Sequence, residues 1–364
     1  MKKILILFLS CILIFTAVVP ASAISAQSAI LIEAETGAVL YEHNAAQKLP
    51  MASTTKIMTA VVALENALLD DKIKVSALAA GTEGSSMYLK EGEIVTVREL
   101  LYGLMLSSGN DAANALAEHV GGTVADFVRM MNGKAAEIGM KNTSFATPSG
   151  LDGEGHYSTA YDMAILAAYA LKNAVFAEIV ATKAITIGER YLVNHNRLLF
   201  SYRYAIGVKT GYTIAAGRCL VSAARKDGVT LIAVTLSDRN DWNDHISMYE
   251  TAFSKIVREE FCSVQDTYKV PVVGAYEKYV NVSPERELYG IFVNGVPVYT
   301  VKIYLPRFLY APLENGDIVG EVIVELEGRE PITTDLVVCD EIVNNEAKQS
   351  LRDRLFLWFY RLFG

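Results

Sequence analysis

Ala52-Ser-Thr-Thr-Lys-Ile-Met-Thr-Ala60 opens a helix-patterned run, Lys56-Ile-Met-Thr-Ala-Val-Val-Ala-Leu-Glu65. Positions i and i+3 share a helix face, so Lys56 reaches the Ser53 hydroxyl. A serine hydroxyl needs a base to become a nucleophile, and a neutral lysine amine can serve. A helix N-terminus and a second cation both lower a lysine pKa. Taken alone, the pair reads better as an N-cap serine followed by an exposed lysine. The rest of the chain has to decide.

Upstream, Ala29-Ile-Leu-Ile-Glu33 and Ala38-Val-Leu-Tyr41 flank a turn at Glu35-Thr-Gly37 and read as a hairpin. Helical patterns follow at 53–68, 97–104, 110–119, 124–138 and 160–172. From about residue 186 the pattern returns to strands. Leu220–Ala224 and Val229–Leu236 enclose Arg225-Lys-Asp-Gly228, a hairpin with an Asp-Gly turn. Strands at both ends with helices between predict an α+β domain over 24–262, its sheet using both termini. After Cys262 the text becomes short alternating strands split by Pro, Gly and Asn turns. This predicts a small all-β domain over 263–343.

The two ends carry membrane signals. Met1-Lys-Lys3, an apolar run from Ile4 to Val19 and Ala21-Ser-Ala23 form a secretory leader over 1–23, cut after Ala23. Losing Lys2 and Lys3 with it takes the formal net charge from −8 to −10. Over 346–364, the residues Leu351, Leu355, Phe356, Trp358, Phe359, Leu362 and Phe363 fall within an arc of about 160° at 100° per residue. Arg354, Arg361 and Asp353 lie opposite. This predicts an amphipathic helix lying in a membrane surface. The acidic balance, 41 Asp and Glu against 33 Lys and Arg, argues against a nucleic-acid partner. Cys219, Cys262 and Cys339 are too scattered for a disulfide framework and read as small buried hydrophobes, with one disulfide and a spare thiol as the alternative. The five His residues form no His-Glu-x-x-His or other ligand cluster, so no metal or other cofactor is expected.

Two further motifs complete the reading. Ser108-Gly-Asn110 ends one helical run and starts the next, and Lys209-Thr-Gly211 follows Ile206-Gly-Val208 on a late strand. Each has a plain structural reading, a helix cap or a strand turn. In this order and setting, S-x-x-K, S-x-N and K-T-G form the signature of active-site serine penicillin-recognising enzymes. The chain resembles the low-molecular-mass penicillin-binding proteins, the serine-type D-alanyl-D-alanine carboxypeptidases, over essentially its whole length. Gly84-Ser-Ser-Met-Tyr-Leu-Lys90 and Gly150 to Asp162 resemble further family segments. The trailing β domain and terminal amphipathic helix resemble the membrane-associated members.

The resemblance implies a transpeptidase/β-lactamase-like domain, an antiparallel sheet plus a helical cluster. It implies Ser53 as nucleophile, Lys56 as its base and Ser108 as proton relay. Asn110, Lys209, Thr210, Gly211 and Tyr212 would bind substrate, with the N–H groups of Ser53 and a residue near Tyr212 as oxyanion hole. The implied partners are a peptidoglycan stem peptide ending in D-Ala-D-Ala, β-lactams as inhibitors, and the outer face of the cytoplasmic membrane. Tyr212 stands where some members carry His, and Asn194-His-Asn-Arg-Leu-Leu199 offers His195 and Arg197 where some carry a different Arg placement, so no carboxylate-binding Arg is assigned there from the sequence. His156 is expected to hold a loop, and Asp111 to serve as a first-turn carboxylate. A D,D-endopeptidase would use the same residues. A class A β-lactamase would need a Glu-x-x-Leu-Asn segment that the chain lacks. An inactive wall-associated binding protein has no reason to keep every motif residue.

Overall fold

The computed structural model describes residues 24–293, 295–327 and 330–343. The leader and the amphipathic stretch expected at the two ends lie outside them. The chain divides into two compact units, Met1–Glu250 and Thr251–Gly364.

The first unit is built on a five-stranded antiparallel sheet. Its strands are β1 (Ser28–Glu33), β2 (Val39–His43), β3 (Ala205–Thr213), β4 (Gly217–Lys226) and β5 (Val229–Leu236), in the order β2-β1-β5-β4-β3. The sheet therefore takes its strands from both ends of the unit. β5 lies at its centre and is buried at every position except Thr230. β3, which carries Lys209-Thr-Gly211, is an edge strand, leaving one row of backbone groups unpaired by the sheet.

Helices fill the interval. They are α1 (Lys56–Asn66), α2 (Val97–Leu106), α3 (Asn110–Gly121), α4 (Val124–Glu137), α5 (Ala160–Leu171) and α6 (Ala174–Ala181), with α7 (Asp241–Phe253) after the sheet. Their starts obey capping chemistry. Thr96 and Glu99 form a capping box, and the Thr123 and Thr159 hydroxyls accept from the Asp126 and Asp162 N–H groups. α1 is buried on all sides from Lys56 to Ala63, so it is the core helix of the unit and not an amphipathic surface helix. This burial is what makes Lys56 unusual.

Beyond the end of α7, the described residues of the second unit form only β structure. A six-stranded sheet and a two-stranded ladder share a core that includes Val280, Val282, Phe292, Val322, Val324 and Leu336. The strand Ile256–Cys262, which composition placed in the first domain, pairs with Leu288–Val293 and so belongs by its hydrogen bonds to the second unit. Cys219 and Cys262 are buried, Cys339 is half-buried, and all three are free thiols. Burial pushes the Cys219 thiol up to about 12, which makes it inert.

Candidate active site

Ser53 lies in a 3-10 turn, Ala52–Thr55, that leads directly into α1. Ala52 has φ +50, a left-handed conformation costly for a residue with a Cβ. The turn is held from beneath. The Thr54 hydroxyl donates to Met51 O at 2.6 Å and that of Thr55 to Ala52 O at 2.8 Å. His156 Nδ1 accepts from the Ala146 N–H at 2.9 Å, so its proton sits on Nε2, which donates to Thr55 Oγ1 at 2.9 Å. Burial pushes the His156 pKa down to about 4, keeping the ring neutral. His156 thus fastens the 146–156 loop to the turn, as the sequence suggested.

Lys56 is the first residue of α1 and fully buried. Its Nζ lies 2.9 Å from Ser53 Oγ, 2.7 Å from Asn110 Oδ1 and 2.5 Å from Ser149 O. A neutral amine has two protons and one lone pair. Asn110 Oδ1 and Ser149 O cannot donate, so they take the two protons and the lone pair faces Ser53. Burial first, then the Lys209 charge, lower the Lys56 pKa well below the usual lysine range, with Asp111 opposing. Lys209 is also fully buried, which alone lowers it to about 7. Its Nζ donates to Thr210 O at 2.9 Å. Two ammonium groups in one buried site repel, so the first proton leaves readily.

Asn110 is oriented by its own Nδ2, which donates to Glu83 O at 2.7 Å. A Cβ at Gly84 would come within 2.7 Å of that Nδ2. Asp111 is buried and accepts from Ser86 Oγ and from the Met87, Leu89 and Ala112 N–H groups. It ties the 84–90 loop to α3 and is far too committed to act as a catalyst. Ser108 is held at φ +59 between α2 and α3, with its side chain on the cleft.

Gly211 closes the arrangement. A Cβ there would come within 3.0 Å of both Met51 O and Ser53 N. The missing side chain lets β3 lie against the Ser53 turn. The cleft has a volume of about 370 Å³ and is lined by Ser53, Ser85, Ser108, His195, Arg197, Thr210, Gly211, Tyr212, Arg218, Asp241 and Trp242. Of the eight predicted site residues, Ser53, Ser108, Thr210, Gly211 and Tyr212 face it, and Lys56, Asn110 and Lys209 lie buried.

Arg218, Asp241 and Trp242 were not foreseen. Arg218 stands opposite Tyr212 in the β3–β4 register. Its Nε and Nη2 grip Asp241, the Nη2–Oδ1 distance being 2.7 Å, and its guanidinium lies 5.4 Å from the Trp242 ring centre. Its Nη1 has no hydrogen-bond partner among the described residues. The Ser149 carbonyl was equally invisible, because every residue has one. A Ser–His contact, Ser222 Oγ to His245 Nδ1 at 2.6 Å, is wholly buried with Thr235 and Tyr249 and is structural.

Comparison with known proteins agrees with this geometry. The family profile described as D-alanyl-D-alanine carboxypeptidase matches residues 15–240. D-alanyl-D-alanine carboxypeptidase DacF of Bacillus subtilis (strain 168) is 37% identical over 319 residues, 83% of this chain and 82% of that protein. DacC of Escherichia coli (strain K12) is 34% identical over 374 residues, 95% of this chain and 91% of its own. Penicillin binding protein 5 from Haemophilus influenzae superposes with a TM-score of 0.67 at 29% identity, covering 88% of this chain and 98% of that one. A peptidoglycan synthesis regulatory factor (PBP3) from Streptococcus pneumoniae gives 0.73 at 28% identity, covering 88% and 99%. With Ser53, Lys56, Ser108, Asn110 and Lys209 gathered at one cleft of a transpeptidase-like fold, the chain belongs to the D-alanyl-D-alanine carboxypeptidase family.

Proposed function

We propose that the protein is a serine-type D-alanyl-D-alanine carboxypeptidase that removes the terminal D-alanine from peptidoglycan stem pentapeptides through an acyl-enzyme on Ser53. The observation that carries this reading is the Lys56 amine, buried, 2.9 Å from Ser53 Oγ and with its two other contacts limited to acceptors.

Neutral Lys56 takes the Ser53 proton as Oγ attacks the carbonyl carbon between the two D-alanines. The developing oxyanion is held by the N–H groups of Ser53 and Tyr212. The C–N bond then breaks, and the leaving amine receives the proton from Lys56 by way of Ser108. Water attacks the resulting ester and gives a proton to Lys56; the acyl C–Oγ bond then breaks, Lys56 returns that proton to Ser53 Oγ, and the shortened peptide leaves as an acid that ionises to the carboxylate. The open edge of β3 offers backbone groups to an extended peptide. Thr210, with the positive charge of Lys209, Arg197 and the free Arg218 edge, suits the terminal carboxylate of the substrate. A β-lactam amide placed in the same geometry acylates Ser53 persistently.

Intact-protein mass spectrometry after incubation with penicillin tests this, together with D-alanine release from an acyl-D-Ala-D-Ala peptide. We expect a stable adduct of one penicillin and release of one D-alanine per peptide. An adduct without release points to an endopeptidase or a binding protein, and rapid penicillin turnover points to a β-lactamase.

The sequence signals at the ends support an exported enzyme, cut after Ala23 and held at the outer face of the cytoplasmic membrane by residues 346–364. Deleting 346–364 is expected to release soluble, active enzyme. A truncated form that still sediments with membranes would remove the anchor from this reading.

A further inference from the structure

Ser25 lies just beyond the proposed cut and is gripped by two carboxylates from the far end of the first unit. Its N–H donates to Asp244 Oδ2 at 2.6 Å. Its hydroxyl lies 2.6 Å from Asp238 Oδ1 and 2.9 Å from Asp244 Oδ2. One hydroxyl proton serves only one of these oxygens at a time. Asp238 and Asp244 are 1% and 4% exposed. Asn240 gives each a donor, its N–H serving Asp238 Oδ1 and its Nδ2 serving Asp244 Oδ1, and the Thr235 side chain also supports the Asp238 carboxylate. Asp238 Oδ2 is buried with no hydrogen-bond partner among the described residues. Neither carboxylate forms an ion pair with a Lys, Arg or His among the described residues. Arg218 is taken by Asp241, and the neighbouring Arg239 is exposed.

Two adjacent buried carboxylates are costly without a cation. The N-terminus of α7 supports Asp244 in its first turn but leaves Asp238 Oδ2 unserved. Burial and the nearby Asp244 charge both raise the Asp238 pKa. Tyr41, raised by burial and then by Asp244, and Cys219, raised chiefly by burial with Asp241 and Asp238 adding, supply no positive charge.

We propose that Asp238 and Asp244 form a receptor for the α-ammonium of Ile24, created when the leader is removed. A signal peptidase adds water across the Ala23–Ile24 amide, leaving a carboxylate on Ala23 and an ammonium on Ile24. Before the cut that nitrogen is a neutral amide with one proton. Afterwards it is a cation with three. Consecutive Cα atoms lie about 3.8 Å apart, so the amine is one residue from a nitrogen already in contact with Asp244. The Gln27 N–H, bonded to Ser237 O at 3.1 Å, holds the incoming chain beside the carboxylates. The receptor also adjoins the cleft: the Asp238 N–H donates to Arg218 O at 2.9 Å, and Asp241 holds the Arg218 guanidinium. This inference rests on the processing step proposed above.

The test uses the chain from Ile24 to Gly364 with a free amine, the same chain Nα-acetylated, and the Asp238→Asn form of each. The terminal amine is titrated by the pH dependence of its reductive methylation, and Tm is measured for every form. We expect the amine to titrate at least about one unit above its ordinary range of about 7.7–8.0. Acetylation should lower Tm by about 4 °C or more, and Asp238→Asn should erase both effects. An amine titrating in its ordinary range, or equal Tm for the free and acetylated wild-type chains, overturns the receptor. If Asp238→Asn does not fold, the wild-type pair decides alone. Amino-terminal sequencing of the exported protein reports the cut independently, and a start other than Ile24 overturns the proposed occupant. Penicillin acylation of the same sample reports separately on the enzymatic reading.

Discussion

Ser53→Ala is expected to abolish the penicillin adduct and to cut D-alanine release by on the order of 10⁴–10⁶-fold. The reason is covalent: without Oγ there is no atom to carry the acyl group, and the neutral Lys56 amine has nothing to activate. The rest of the site should survive. Ser53 is half-buried, and its hydroxyl makes one bond, donated to the Lys56 lone pair. Its N–H stays in place, because the turn is held by Thr54, Thr55 and His156. The stability loss should stay near one hydrogen bond, about 0.5–1.5 kcal/mol. The checks are intact mass, D-alanine release and a thermal melt on the same preparation. A stable adduct on the alanine variant would place the nucleophile elsewhere, with Ser108 the first candidate.

Lys56→Met should separate activity from stability. The methionine has similar length and no charge, so the acylation rate should fall by roughly 10²–10⁴-fold, the usual worth of a positioned base, or more if the site acts as a unit. The fold should not suffer in proportion. Replacing a buried amine by an apolar side chain of similar volume removes its desolvation cost, although Asn110 Oδ1 and Ser149 O lose a donor. We therefore expect an unchanged or raised Tm with acylation almost lost. The pH profile carries the same logic. Lys56 works only when neutral, so kcat/KM falls as pH drops through its pKa. The Lys209 charge is one of the causes lowering that pKa. Lys209→Met removes it, the Lys56 pKa rises, and the acid limb of penicillin acylation should move to higher pH. A limb that stays in place in Lys209→Met would mean that burial alone sets the base.

Most helices of the first unit were legible because their buried stripes are apolar and their starts carry capping residues. α7 was not. Its buried positions are Asp241, Asp244, His245, Met248 and Tyr249, a regular helical stripe whose first three members are polar. Asp241 is buried against Arg218, Asp244 against Ser25, and His245 between Ser222 and Thr235. Hydropathy cannot register a face buried by pairing. The sequence reading, which ends its helix at residue 172, does not contain α6, although Asn173 caps it through the Val175 and Phe176 N–H groups.

Order and spacing in the chain determined the three motifs, the two-part architecture and the family, and pointed to the proposed nucleophile and its base. These are local: a helix turn places Ser53 beside Lys56, and strand alternation marks the sheets. The tertiary structure alone decided the state of the base. The Lys56 pKa is lowered because α1 is the core helix and Lys209 lies buried nearby, and neither fact is written at position 56. It also supplied the Ser149 carbonyl, the Arg218–Asp241 wall of the cleft and the carboxylate pair that grips Ser25. Backbone groups and distant partners carry no signature in a sequence. Their chemistry depends on burial and on distances of about 3 Å, which exist only once the chain has folded.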